Sequence, residues 1–406
     1  MRLGTLFIVY LLSTAAAISS PFAISAVDKR WRRMMPVNSE SPLESPPELH
    51  TEQPRSLQPI PVCAAPAVAK DYYYDGGDFA VGSDPGDCAA FLPDFKVLHT
   101  SVGEDGTLYL EGKSDGQNSL RVYSRTGDLK WAVPIDEIEN PLAVAPDGTT
   151  FLMATLRSSS TLTAYNPDGT VRWRVQNEGE QFGDWIPPAI GPDGTIYVFS
   201  GVQPGSLPDC RSLCPAILAI TPQGQERWRV RIPRRPKGVV VDADGRILVN
   251  VPSGNLIAFD PQGHQLWRFN SEDKFGKGGI AVAADRTIYF ASRFLYAIDL
   301  NGKARWVFKP QTSYTEGEDF QDDPVIAEDG TVYAYSRHHE LYAITPGGRK
   351  KWVISNLPSG GSGVELSSKG ILRTPSAWFS VSSGLASHGW PSANRDARNS
   401  RSQEAR

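Results

Sequence analysis

Residues 258–267 read Ala-Phe-Asp-Pro-Gln-Gly-His-Gln-Leu-Trp, and the frame of this phrase returns five more times along the chain. A glycine stands four residues before a tryptophan in Gly127/Trp131, Gly169/Trp173, Gly224/Trp228, Gly263/Trp267, Gly302/Trp306 and Gly348/Trp352. Alanine stands five residues before that glycine at Ala164, Ala219, Ala258, Ala297 and Ala343, with Val122 in the remaining copy. Three residues before the glycine comes a short polar side chain, at Ser124, Asn166, Thr221, Asp260, Asp299 and Thr345. Such a side chain bonds the backbone of its own turn, so the phrase describes a tight turn entering a tryptophan-bearing strand.

Upstream of each copy lies a second turn, at Asp105-Gly106, Asp147-Gly148, Asp193-Gly194, Asp244-Gly245, Asp285-Arg286 and Asp329-Gly330, with Lys369-Gly370 as a weaker seventh. Short β-type runs follow the first six, such as TIYV from 195 and TVYA from 331. The tryptophans recur every 39 to 55 residues, enough for four short strands and their turns. A sheet that small cannot bury both faces alone, so the units must pack on one another. The fold expected is all-β, a propeller of four-stranded blades. The units number seven if Trp390 ends the last of them, with six and eight left open. A linear solenoid would show shorter repeats and capped ends. The longest interval, Trp173 to Trp228, holds about nine inserted residues around GVQPGSLPDCRSLC, which carry Cys210 and Cys214.

The 406-residue chain has 40% apolar residues, too many for disorder throughout. Its formal charge of −4 gives no footprint for nucleic acid. Residues 1–25 read as a signal peptide with cleavage after Ala17 or Ser25, and an uncleaved membrane anchor is the competing reading because Lys29, Arg30, Arg32 and Arg33 follow the apolar run. No membrane insertion is expected beyond that segment. Residues 26–62 form a linker, Pro/Ser-rich from 34, residues 63–94 an irregular cysteine-containing lead-in, residues 95–398 the propeller and 399–406 a tail. The expected address is secreted or periplasmic. No cysteine lies near a cleavage point to carry a lipid. Cys63 with Cys88 and Cys210 with Cys214 is the favoured disulfide pairing among three. A four-thiolate metal site asks for closely spaced ligand pairs at both ends, which the gap from 63 to 88 does not provide.

The alanine, polar residue, glycine and tryptophan spacing resembles the tryptophan-docking motif of the PQQ-like (quinoprotein-like) β-propeller superfamily. The DG-T-[IVL]-Y phrase, as in GPDGTIYVFS from 191, and the closing GWPSANRDARNS from 389 are similar to it as well. The resemblance covers roughly residues 95–395. It implies a tryptophan wedged between neighbouring blades. Quinone-dependent dehydrogenases of the superfamily bind calcium beside the quinone, and many carry two adjacent cysteines; here no two cysteines are adjacent and no acid, amide and base set matches. Neither PQQ nor calcium is therefore expected, and the chain stands nearer the noncatalytic repeat proteins. The outer-membrane assembly propeller, a scaffold attached through a lipidated cysteine, is also resembled, without that cysteine.

Two related loops are the best candidates for a binding face. EGEDFQDDP holds Glu316, Glu318, Asp319, Asp322 and Asp323, and EGEQFGDW holds Glu178, Glu180, Asp184 and Trp185, each just ahead of a first-strand run. Clustered carboxylates suit calcium or a cationic partner, and equally suit a solvated rim. His338, His339 and Glu340 suggest ligands, but neighbours in a strand point to opposite faces, which favours a plain turn. Arg229, Arg231, Arg234, Arg235 and Lys237 form a basic stretch broken by Pro233 and Pro236. No Ser/His/Asp arrangement follows from the spacing. The expectation is an exported, noncatalytic scaffold whose rim loops bind a protein or carbohydrate of the cell envelope. The competing reading is an enzyme, a quinoprotein-like oxidoreductase or a lyase or hydrolase using the acidic loops. The sequence sets no oligomeric state.

Overall fold

The computed structural model describes residues 70–72, 78–80 and, with short gaps, 95–386. Every regular element among them is a β-strand, and all pairing is antiparallel. Six sheets follow one another along the chain, each with four strands in sequence order. The first runs Lys96–Val102, Leu108–Ser114, Gln117–Tyr123, Leu129–Pro134, and the second Ala143–Val144, Thr150–Leu156, Ser159–Tyr165, Val171–Glu178. The third is Ala189–Ile190, Ile196–Gly201, Ala216–Ile220, Glu226–Arg231, with the short strand Gln181–Phe182 added to its second strand. The fourth, fifth and sixth begin at Gly238–Val241, Ile280–Val282 and Val325–Ile326 and end at Gln265–Asn270, Ala304–Phe308 and Lys350–Ile354. A three-stranded sheet follows, Glu365–Leu366, Ile371–Thr374 and Ala377–Ser380, with Gly370 at φ +77° just before its second strand.

The repeated phrase becomes one row of side chains across each sheet. In the third sheet the first-strand Ala189 pairs with Tyr197, Tyr197 with Ala219, and Ala219 with Trp228. The alanine is small enough for the flanking rings to meet over it: Tyr197 and Trp228 lie 5.9 Å apart, Phe151 and Trp173 5.8 Å, Tyr289 and Trp306 5.8 Å, and Tyr333 and Trp352 5.7 Å. Where Val122 replaces the alanine, between Tyr109 and Trp131, the indole turns instead to Tyr165 of the next sheet at 6.2 Å.

The same tryptophans fasten each sheet to its successor. Trp131, Trp173, Trp228, Trp267 and Trp306 donate from Nε1 to the carbonyls of Pro167, Pro222, Pro261, Leu300 and Pro346, at 2.8 to 2.9 Å, each in the third-to-fourth turn of the following sheet. Each ring then covers the glycine of that turn. A Cβ on Gly224 would stand 2.7 Å from Trp173 Cδ2, and φ at Gly224 is +84°. Glycine is required there twice over, for the left-handed backbone and for the indole. Losing such a ring costs on the order of 3–5 kcal/mol. The core is divided among the interfaces; between the first and second sheets it joins Tyr109, Leu120 and Val122 to Leu142, Val144 and Leu152.

Antiparallel alternation puts the turns after first and third strands at one end of the sheets and all other connections at the opposite end. The first set is uniform. In the second to sixth sheets both turns, and in the first sheet the later one, are closed by an N–H three residues after its acceptor, as in Gly224 to Thr221 at 2.8 Å and Gly245 to Asp242 at 2.9 Å. After the last strand the chain does not supply a fourth strand at once. Residues 384–386 return to the sixth sheet, where Glu328 N donates to Gly384 O at 2.8 Å and Ala386 N to Ile326 O at 2.9 Å.

Candidate functional site: the long-loop face

All connections that vary in length share the end opposite the uniform turns. They include the joins between sheets, at 179–188, 232–237, 271–279, 309–324 and 355–364, and the inserted turn at 202–215. The described strands that bracket the two acidic phrases, Val171–Glu178 with Ala189–Ile190 and Ala304–Phe308 with Val325–Ile326, end and begin at that end of their sheets. Asp184, Trp185, Glu316, Asp319 and Asp322 lie outside the described residues, as do Cys63, Cys88, Cys210, Cys214 and Trp390.

Asp323 is described, and its carboxylate is occupied by the backbone. Its Oδ1 accepts from Ile280 N at 2.8 Å, tying the approach to the sixth sheet onto the first strand of the fifth. Gly279 provides the room, since a Cβ there would overlap that carboxylate. Asn250 makes the preceding tie, donating from Nδ2 to Gly278 O. Asp323 is half-buried, and its carboxylate links the two sheets.

His338, His339 and Glu340 occupy the turn between second and third strands of the sixth sheet, with His339 at φ +58°. The Tyr335 hydroxyl lies 3.0 Å from His339 Nδ1, and Glu340 accepts from the hydroxyls of Tyr342 and, at 2.9 Å, Ser355. Among the described residues no group of three or more His, Cys, Asp or Glu side chains could hold a metal.

The motifs gave no warning of a buried pair on the first sheet. Glu111 is fully buried, and its Oε2 sits 3.1 Å from His99 Nδ1 on the first strand, where the imidazole is 29% exposed. Burial pushes the Glu111 carboxyl above its ordinary range, against the pull of His99 and of the Leu142 backbone. Its other oxygen, Oε1, has no hydrogen-bond partner. Aligning the units on the second-strand aromatic would have raised it: Glu111, Asn250 and Tyr335 all stand two residues beyond that position. On the fifth sheet, the Phe294 ring carries Lys309 Nζ at 4.7 Å and the Arg293 guanidinium at 5.6 Å from its centroid.

In the basic stretch, Arg229 pairs with Glu226 at 2.9 Å, Arg231 and Arg234 are exposed, and Arg235 is half-buried. Together the described side chains of this face hold sheets to one another and present charge outward; they do not converge on one reacting centre.

Residues 158–372 match the family described as outer membrane protein assembly factor BamB. The chain belongs to this family. The BamB match runs from the third strand of the second sheet into the second strand of the seventh and so covers five of the six glycine-tryptophan units. Among solved structures, BamB from Moraxella catarrhalis is similar at 16% identity with a TM-score of 0.50, over 71% of this chain and 86% of that one. At that identity the likeness bears on the fold, an all-β propeller of the BamB type. A catalytically inactive virginiamycin B lyase from Staphylococcus aureus with quinupristin is similar at 11% identity and a TM-score of 0.49, over 72% and 95% of the two chains. No curated protein sequence matches.

Proposed function

We propose that this chain is an exported, noncatalytic, seven-bladed scaffold that binds a protein of the cell envelope through its long-loop face. The observation that carries the reading is the asymmetry of the two ends. The described connections after first and third strands are held to one tight geometry, whereas the strands that bracket the insertion and the acidic phrases, and the basic stretch itself, run to the other end. Loops positioned by a rigid scaffold are where binding residues collect. Membership of a family described as an assembly factor favours a protein over a carbohydrate as the partner. The reading takes no cofactor, in keeping with the missing adjacent-cysteine pair.

A photo-reactive side chain at Lys113 or Arg337, both exposed at the loop end, tests this against one at Gln262 or Asn301 in the uniform turns. Discrete cross-links to an envelope protein from the first pair alone support the scaffold. Equal cross-linking from both ends, or none, contradicts it. A rise in melting temperature on adding PQQ with calcium would contradict the cofactor-free part separately.

A further inference from the structure

Basic side chains on the fourth strands fall into two classes. Those just before the tryptophan are structural. Arg172, Arg227, Arg305 and Lys351 reach Asp147, Asp193, Asp285 and Asp329, the first-turn aspartates of their own sheets, at 3.0 to 3.8 Å. Lys130 Nζ meets Thr107 of its own sheet at 3.3 Å.

Those beyond the tryptophan climb toward the long-loop face and have another character. Arg174, Arg229 and Arg268 take the position directly after the tryptophan in the second, third and fourth sheets, and all are exposed. The same position holds Ala132, Val307 and Val353 in the other three. Arg231, two residues on, and Arg234 in the following connection extend the row. Among the described residues Arg174, Arg231, Arg234 and Arg268 have no carboxylate within ion-pairing distance. Two are aimed by neutral groups: Arg174 Nε donates to Thr163 Oγ1 at 3.1 Å, and Arg268 Nε to Asn270 Oδ1 at 3.1 Å. Anchoring at Nε fixes the guanidinium plane, lowers the entropy lost on binding, and leaves both Nη groups to an incoming anion.

We propose that this arc, on the outer wall of the second to fourth sheets, docks an acidic segment of a protein partner. The proposal rests on the scaffold reading and names the chemistry of what the scaffold binds. Arg229 and Arg231, at alternate positions of one strand and so about 6–7 Å apart, match the spacing of alternate side chains in an extended acidic peptide, although Arg229 also pairs with Glu226. Arg174 and Arg268 continue the charge on the sheets to either side. An extended chain can follow a convex wall across three sheets, whereas a flat bilayer meets such a wall along one strand at a time.

The test is fluorescence anisotropy of labelled deca-glutamate with the full chain at low ionic strength. Replacing Arg174→Glu, Arg231→Glu and Arg268→Glu together should weaken binding at least about tenfold. The control Lys303→Glu, Arg349→Glu and Lys350→Glu, with the same charge change at the other end, should weaken it less than about twofold. The neutral triple Arg174→Gln, Arg231→Gln and Arg268→Gln should fall between, with an unchanged melting temperature in every variant. Equal loss in both charge-reversed triples overturns the proposal. So does arc-dependent sedimentation with phosphatidylglycerol vesicles without deca-glutamate binding, which would make the arc a lipid surface. Loop-face cross-links that persist in the arc-reversed chain refute the arc and leave the scaffold standing; absence of cross-links from the unaltered chain refutes both.

Discussion

Arg286 Nη1 lies 2.7 Å from Asp244 Oδ2, and this ion pair crosses from the fifth sheet to the fourth. It replaces a contact that other sheets make internally. Where they place a cation before the tryptophan, the fourth sheet has Leu266, left 48% exposed. Arg286 in turn stands where the other first turns have glycine, and takes φ +68°. A left-handed backbone costs a non-glycine residue roughly 1–2 kcal/mol, and an exposed pair returns about 0.2–1 kcal/mol. Arg286→Gly should therefore be neutral or stabilising in thermal melts. Leu266→Arg should stabilise by about 0.5 kcal/mol more in the Arg286→Gly background than alone, because only there has Asp244 lost Arg286. Equal effects in both backgrounds would dissolve the compensation.

The tryptophan clamp is separable from backbone strain. Gly224→Ala adds a Cβ against Trp173 at φ +84°, whereas Gly116→Ala adds one at φ +78° with nothing within 4 Å. Both should lose roughly 1–2 kcal/mol to the left-handed backbone, and Gly224→Ala a further 1–3 kcal/mol to the ring. Urea unfolding measures the gap. The extra loss should vanish in a Trp173→Ala background; if it persists, the indole is not its cause.

The small residue between the rings is a spacer. Ala219→Val inserts two methyl groups between Tyr197 and Trp228 and should destabilise by about 1–3 kcal/mol. Unchanged melting would mean that the rings do not depend on that alanine.

Glu111 gives stability a pH signature. Burial raises its folded-state affinity for a proton above the unfolded value near 4.5, so its carboxyl favours folding below that pH and loses this contribution as pH rises through the folded value. Glu111→Gln should match the parent at acid pH and exceed it increasingly above about pH 4.5, by about 1–3 kcal/mol at the plateau if the orphaned oxygen is the main cost. A pH-independent difference would refute this.

What the sequence made legible was whatever repeats at fixed spacing. Gly224 and Trp228 share one strand entrance, so their offset and their fold class can be read without coordinates. That the glycine of one unit receives the tryptophan of the unit before it is a relation between sheets, visible only once their registers are aligned. The same limit hid the arginine arc, because Arg174 and Arg268 lie 55 and 39 residues from Arg229 and meet it only by position after the tryptophan. Asp323 shows a second limit: composition registers a carboxylate, and only the coordinates show the Ile280 amide donating to it. Arg286 departs from the DG pattern and pairs with Asp244 of the neighbouring sheet, a relation that lies outside its own unit.

Closure of the proposed seven-bladed ring is tested most directly by the distance between the ends of the series. Spin labels at Asp128, beside the fourth strand of the first sheet, and Ser380, ending the third strand of the last, are both exposed. Closure makes those sheets neighbours and predicts a pulsed-dipolar distance within about 25 Å, two to three sheet spacings. A line of seven sheets packed about 10 Å apart would put the labels about 60 Å apart, and a distance near that value would contradict the ring.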